Sequence, residues 1–205
     1  NDTVLTLYGT ATTQSGTYVY FYKQNLDGTY PDTGLANASN AIPTTSGGRF
    51  TFTNKYNGFE LDVYSTNNGS SWTDAQVDDT ATISNTGLHI RFKRIYYDLI
   101  FDPNYPTLAG TTIAGTPLTL DNIAELTEAN TATLSLPYET PLSGYSGQPQ
   151  PSQGPDNYIF TGWYVDSGLT QKYNFNENLP DANMRLYAGW TPVRFRIKID
   201  PNGGE

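Results

Sequence analysis

One histidine, His89, is the only imidazole the chain can offer as a general base, and there is no cysteine to act as nucleophile or thiolate ligand. His89 stands in the alternating run Leu88-His89-Ile90-Arg91-Phe92 with no serine or cysteine motif to serve. The six glutamates and fourteen aspartates allow many carboxylate pairs of the kind used in glycoside hydrolysis, but none lies in a hydrolase motif. Asp78-Asp79 and the turns Asp102-Pro103-Asn104 and Asp200-Pro201-Asn202 offer oxygens to calcium. Their spacing matches neither an EF-hand nor a nonapeptide repeat, and Asp and Asn initiate turns on their own account. Trp72, Trp163 and Trp190 can stack on sugar rings. Trp72 lies in the polar run Asn67–Asp74 and is the candidate ligand contact. Asn37-Ala38-Ser39 and Asn68-Gly69-Ser70 fit the N-glycosylation pattern, which recurs by chance in Asn- and Ser-rich chains. Lys23, Lys93 and Lys198 sit in strand-like runs. They suit an intramolecular cross-link to Asn or Asp less well than they suit solvated lysines guarding a sheet edge. The expectation is therefore no catalytic residue, no metal ligand set, no cofactor and no enzyme.

The elements that would position these residues are strands. Of the 205 residues, 37% are hydrophobic and 14% aromatic, with 16 tyrosines. Tyrosine-rich, Thr-, Asn-, Gly- and Ser-rich chains favour half-buried sheets with polar turns over long helices. Alternation of period two marks Tyr18–Tyr22, Arg49–Thr53, Phe59–Tyr64 and Leu88–Phe92. Turn signals separate them at Asp27-Gly28, Ser46-Gly47-Gly48, Asn67-Asn68-Gly69 and Asn85-Thr86-Gly87. One helix is predicted, Asp121–Ala129, capped by Asp121 and stopped by Asn130. Ser143–Asn157, with Pro149, Pro151 and Pro155, reads as an extended surface loop through which no ladder can pass.

The net charge of −9 repels phosphate backbones, so nucleic acid is a poor partner. No stretch reads as a signal peptide or a membrane-spanning segment. Small β modules without disulfides, in this composition, point to an exported bacterial protein, Gram-positive rather than eukaryotic.

The chain echoes itself. Leu88–Asn104 lies on Leu186–Asn202 without a gap, sharing the leading Leu, the closing Asp-Pro-Asn and alternation around a short joint. Each copy reads as a last strand, a joint near Ile95–Tyr97 or its counterpart, and a first strand. Fixed joints of this kind mean tandem modules. The expected division is 1–9, the closing strand of a preceding module; 10–95, an N-terminal β module; 96–191, a second module; and 192–205, the opening strand of a following one.

The second module resembles the Listeria–Bacteroides repeat, the type that forms the B repeats of internalin B. The resemblance rests on Tyr158-Ile159-Phe160-Thr161-Gly162-Trp163-Tyr164, then Tyr173-Asn174-Phe175, then Leu186-Tyr187-Ala188-Gly189-Trp190. Ile199–Gly204 is similar to the start of another such repeat. The resemblance departs after Asn104, where Tyr105-Pro106 replaces two glycines and Thr107–Asn157 is longer than usual. It implies a mainly β protein of tandem small modules, the second β-grasp-like with one short helix. It also implies a core role for Tyr158, Phe160, Gly162, Trp163, Tyr164, Phe175, Leu186, Tyr187 and Trp190. The first module is loosely similar to mucin-binding-type companion modules. The expected function is a spacer or stalk in a bacterial cell-surface, wall-attached adhesin or filament. Its partners would be neighbouring modules or copies of itself. The alternative is a module that binds glycan or a host surface protein.

Overall fold

A computed structural model describes residues 16–104, 131–146, 158–194 and 196–197. The predicted helix Asp121–Ala129, the strand expected in 1–9, Lys198 and most of the Pro-rich segment lie outside the described residues. The protein is mainly β, and the chain divides into two compact units between Arg94 and Ile95.

The first unit contains β1 (Thr17–Lys23), β2 (Asn40–Thr44), β3 (Arg49–Thr51), β4 (Phe59–Ser65), β5 (Thr73–Asp74), β6 (Thr80–Thr82) and β7 (Leu88–Arg94). The main sheet has the order β2-β1-β7-β4-β5, and β3 and β6 form a separate two-stranded ribbon. β1 and β7 are parallel neighbours, with Val19 opposite Leu88 and Phe21 opposite Ile90. Every other pairing in this sheet is antiparallel. Pro43, which has no N–H to donate, sits in the edge strand β2.

Alternation places Val19, Phe21, Leu88, Ile90 and Phe92 on one face, and all five are buried. The ribbon brings Phe50, Phe52 and Ala81 to that side: Phe21 meets Phe50 at 6.0 Å and Phe52 meets Tyr64 at 4.9 Å between ring centroids. β4 carries an irregularity between Leu61, opposite Phe92, and Tyr64, opposite Ile90. The extra residue lets side chains three apart share one face.

The second unit contains β8 (Tyr96–Asp102), β9 (Ala132–Pro137), a 3₁₀ turn (Leu142–Tyr145), β10 (Tyr158–Tyr164) and β11 (Met184–Pro192). Its sheet order is β9-β8-β11-β10. Here too the first and last strands, β8 and β11, are parallel neighbours, flanked by antiparallel partners. The order matches β2-β1-β7-β4 of the first unit strand for strand. The echo between Leu88–Asn104 and Leu186–Asn202 thus has a structural counterpart in Leu88 and Leu186. Both are fully buried in the last strand of their unit, each facing its first strand, opposite Val19 and Phe101 respectively.

The second core gathers Leu99, Phe101, Leu134, Leu142, Trp163, Phe175, Leu179, Leu186 and Trp190. Chain outside the sheet completes it, because Leu142 N–H donates to Glu177 O and Leu179 N–H to Thr140 O, holding the 3₁₀ turn against 175–179. Trp163 packs edge-on against Phe101 at 4.8 Å and Phe160 at 5.5 Å. Trp163→Ala should therefore cost the second unit about 3–5 kcal/mol, through lost burial and the cavity left behind. In calorimetry one transition should move down and the first unit's should stay. An unmoved thermogram would show that Trp163 is not a packed core residue.

Candidate functional site

In the second unit the motif residues have one geometric origin. A strict period of two would put Phe160, Gly162 and Tyr164 on one face and Trp163 on the other. Instead Phe160 pairs with Trp190 and Trp163 with Ala188, with a register shift between Phe160 and Gly162. This bulge places both aromatic rings in the core although three positions separate them. Gly162 takes φ +126°, a backbone conformation closed to ordinary side chains, and a Cβ there would meet Lys172 Cε at 2.5 Å. Lys172 occupies that space and donates from Nζ to Thr161 O at 2.8 Å. Gly189 is empty for a second reason: the Tyr164 ring and the Thr161 hydroxyl lie where its Cβ would be.

Trp163, Phe175, Leu186 and Trp190 are buried; Tyr158, Phe160, Gly162, Tyr164 and Tyr187 are half-buried. Tyr173 packs edge-on against Phe175 at 4.9 Å. Trp190 does more than pack, since its Nε1–H donates to Pro103 O at 2.7 Å. The Asp102-Pro103-Asn104 turn is tied to the last strand at two further points. The buried Asp102 carboxylate pairs with Arg185 at 2.7 Å and accepts the Asn104 N–H at 2.9 Å. Asn104, at φ +42°, donates from Nδ2 to Ala188 O at 3.1 Å and Ser167 O at 3.3 Å. Left-handed backbone suits Asn better than most residues. Asp102 and Asn104, singled out as calcium donors, thus have protein partners, and Asp200-Pro201-Asn202 lies outside the described residues. The backbones of Asp78, at φ +71°, and Asp79 form a turn bonded to the Phe52 backbone.

His89 and, through Arg91, Trp72 gather on the sheet face opposite the first unit's core. Tyr18, Tyr20 and Tyr22 of β1 share that face with His89 and Arg91 of β7. His89 is 1% exposed and stacks on Tyr20 at 4.5 Å and Tyr22 at 5.8 Å. Gly34 N–H donates to the Tyr22 hydroxyl at 2.9 Å, freeing that hydroxyl's proton for His89 Nδ1 at 2.8 Å. The other ring nitrogen, Nε2, faces Thr86 O at 3.2 Å, an acceptor only, so Nε2 carries the hydrogen. Both nitrogens are engaged, and the neutral ring is a packing and bridging element.

Next to it, Arg91 sits over Trp72, its guanidinium carbon 3.7 Å from the ring centroid, and 4.6 Å from that of Tyr30. Tyr30 in turn donates to Asp62 at 2.7 Å. Burial, and then this bond, push the Tyr30 phenol up. Trp72, half-buried, therefore has Arg91 stacked on its ring. The lysines differ from expectation, because β1 and β7 are central rather than edge strands. Lys23 Nζ sits 4.5 Å over the Tyr56 ring, and Lys93 pairs with Glu60 at 3.4 Å on the surface. Segments distant in sequence place these residues together, and no local signal in the sequence marks Arg91, Tyr30 or Tyr22 as companions of Trp72 and His89.

Burial, more than the Thr86 bond offsets, lowers the His89 pKa from its ordinary 6.5. A histidine that binds its proton more weakly when folded contributes stability above the unfolded pKa and loses it as pH falls through and below that value. The first unit's melting temperature should drop between about pH 7.5 and about pH 5, with the histidine-free second unit as internal control. A first unit that melts no lower, relative to the second, at the acid end would contradict the buried neutral ring.

Two comparisons bear on these features. Over 49 residues, 24% of this chain and 6% of the relative, the sequence is 35% identical to a putative Gly-rich membrane protein of Evansella cellulosilytica. The chain thus spans a small part of that relative's length. Residues 97–189 match the family model of the Listeria–Bacteroides repeat domain, a range that runs from β8 into β11 and takes in the bulge and the buried Trp163. Over these residues the second unit is similar to a Listeria–Bacteroides repeat.

Proposed function

We propose that this chain is a spacer region of a bacterial surface-associated repeat protein and has no catalytic role. One observation carries the reading: two units with the same four-strand frame follow one another with a single residue, Ile95, between the last strand of one and the first strand of the next. Chains built this way extend by adding modules, each with its own core. The repeat likeness of the second unit and the membrane-protein description of the Evansella relative support a surface setting. Attachment to the cell wall, in a Gram-positive host, is assigned to other parts of the parent protein. The engagement of both His89 nitrogens supports the non-catalytic reading.

The competing function is recognition of a glycan or host surface protein through Trp72, and the arrangement of Trp72 on Arg91 keeps it testable. The whole chain should give no specific signal on glycan and host-protein arrays. A signal abolished in Trp72→Ala, with that variant still folded, would replace the spacer reading by a ligand-binding one.

A further inference from the structure

We infer that each unit is a shear clamp that bears tension along the chain, and that residues just beyond its first strand latch that clamp. This rests on the spacer reading and adds a mechanical role to it.

Strand direction decides how each unit carries load. Among the described residues, each unit opens with its first strand, β1 or β8, and closes with its last, β7 or β11. Those two strands are parallel neighbours. The entry and exit points therefore lie at opposite ends of one strand pair. Tension between them slides the strands past each other and loads all the bridging hydrogen bonds together. In an antiparallel hairpin pulled at its open end, the same bonds would break in succession. The evenly spaced bonds of a parallel pair share a sliding load. Flanking strands on both sides, β2 and β4 in one unit, β9 and β10 in the other, keep the loaded pair away from the sheet edges.

The latches lie where the first strand stops. In the first unit five residues of β1, Val19–Lys23, are in register with Leu88–Phe92. Gln24 extends the pair: its N–H donates to Phe92 O at 2.9 Å, and its side-chain oxygen accepts the Arg94 N–H at 3.0 Å. Arg94 returns a bond from Nε to Gln24 O at 2.9 Å. In the second unit the parallel register is shorter, four residues, Leu99–Asp102 with Met184–Tyr187. Here the Asp-Pro-Asn turn supplies the extension, through Asp102 to Arg185, Pro103 O to Trp190 and Asn104 to Ala188 O. Each of these bonds joins the first-strand segment to the last strand, so all of them must break before the two strands slide apart. The unit with the shorter ladder has the more extensive side-chain latch.

Single-molecule force spectroscopy on the whole chain, tethered at its two ends, tests this. Two unfolding events are expected, each releasing chain at roughly 3.5 Å per residue. Asn104→Ala should lower the force of the second unit's event alone, and Gln24→Ala that of the first unit's alone. Leu142→Ala, which thins the core from the 3₁₀ turn outside the sheet, should lower the second unit's melting temperature with little change in its force. The absence of native cysteine allows a second geometry, with handles at Ile159→Cys and Thr191→Cys, opposite residues of the antiparallel β10–β11 pair. Pulled there, the unit should open at severalfold lower force. End-to-end forces no higher than the force in that geometry, or forces that follow melting temperature and ignore the latch variants, would overturn the clamp. Such a result would leave the spacer reading standing, whereas Trp72-dependent array binding would remove the spacer reading and leave the clamp measurement as it is.

Discussion

The pairing of first strand with last strand is the constraint on which the rest of each unit depends. A parallel pair cannot be closed by a hairpin, so all the intervening chain must be used to return the last strand beside the first. In the first unit that chain supplies β2, the β3–β6 ribbon and β4; in the second it supplies β9, the 3₁₀ turn and β10. Once the pair forms, Val19 and Phe21 meet Leu88 and Ile90 in one unit, and Phe101 meets Leu186 in the other. Each fully buried side chain of this size contributes about 1.5–3 kcal/mol. These central contacts span most of a unit's length in sequence, which makes loop closure the cost they must offset.

The two units cover that shared frame differently. The second has one aromatic core, which its bulge makes possible, since Phe160 and Trp163 reach the same side only because Gly162 accepts a conformation other residues avoid. The first has a core on one face and, on the other, a tyrosine–histidine–arginine layer held down by Gly34, Tyr30 and Trp72 from two loops. Its chemistry-bearing residues are occupied with one another.

Much of this was legible in the sequence. Alternation marked β1, β4 and β7, the turn glycines separated them, and the echo of Leu88 in Leu186 pointed to equivalent last strands. The motif around Gly162 and Trp163 was legible as a family signature. What the signature does physically was not: period-two reading puts Trp163 on the wrong face, and only the pairing register reveals the inserted residue. His89 was illegible for a related reason. Its position in an alternating strand says it opposes the core, but the chain that covers it comes from loops carrying Gly34 and Thr86. Strand Lys23 and Lys93 suggested edges because lysine guards edges in general. The central place of β1 and β7 follows from long-range parallel pairing, which no local pattern encodes.

If the parallel first–last pair holds each unit together, it is also the most protected part of that unit, with flanking strands and loops opening more readily. Amide hydrogen exchange on the whole chain measures this directly. The slowest amides should lie in Val19–Lys23 with Leu88–Phe92, and in Leu99–Asp102 with Met184–Tyr187. If instead the slowest amides cluster in β4 with β5, or in β9, while these parallel pairs exchange as fast as the turns, the central pair is not what holds the units together.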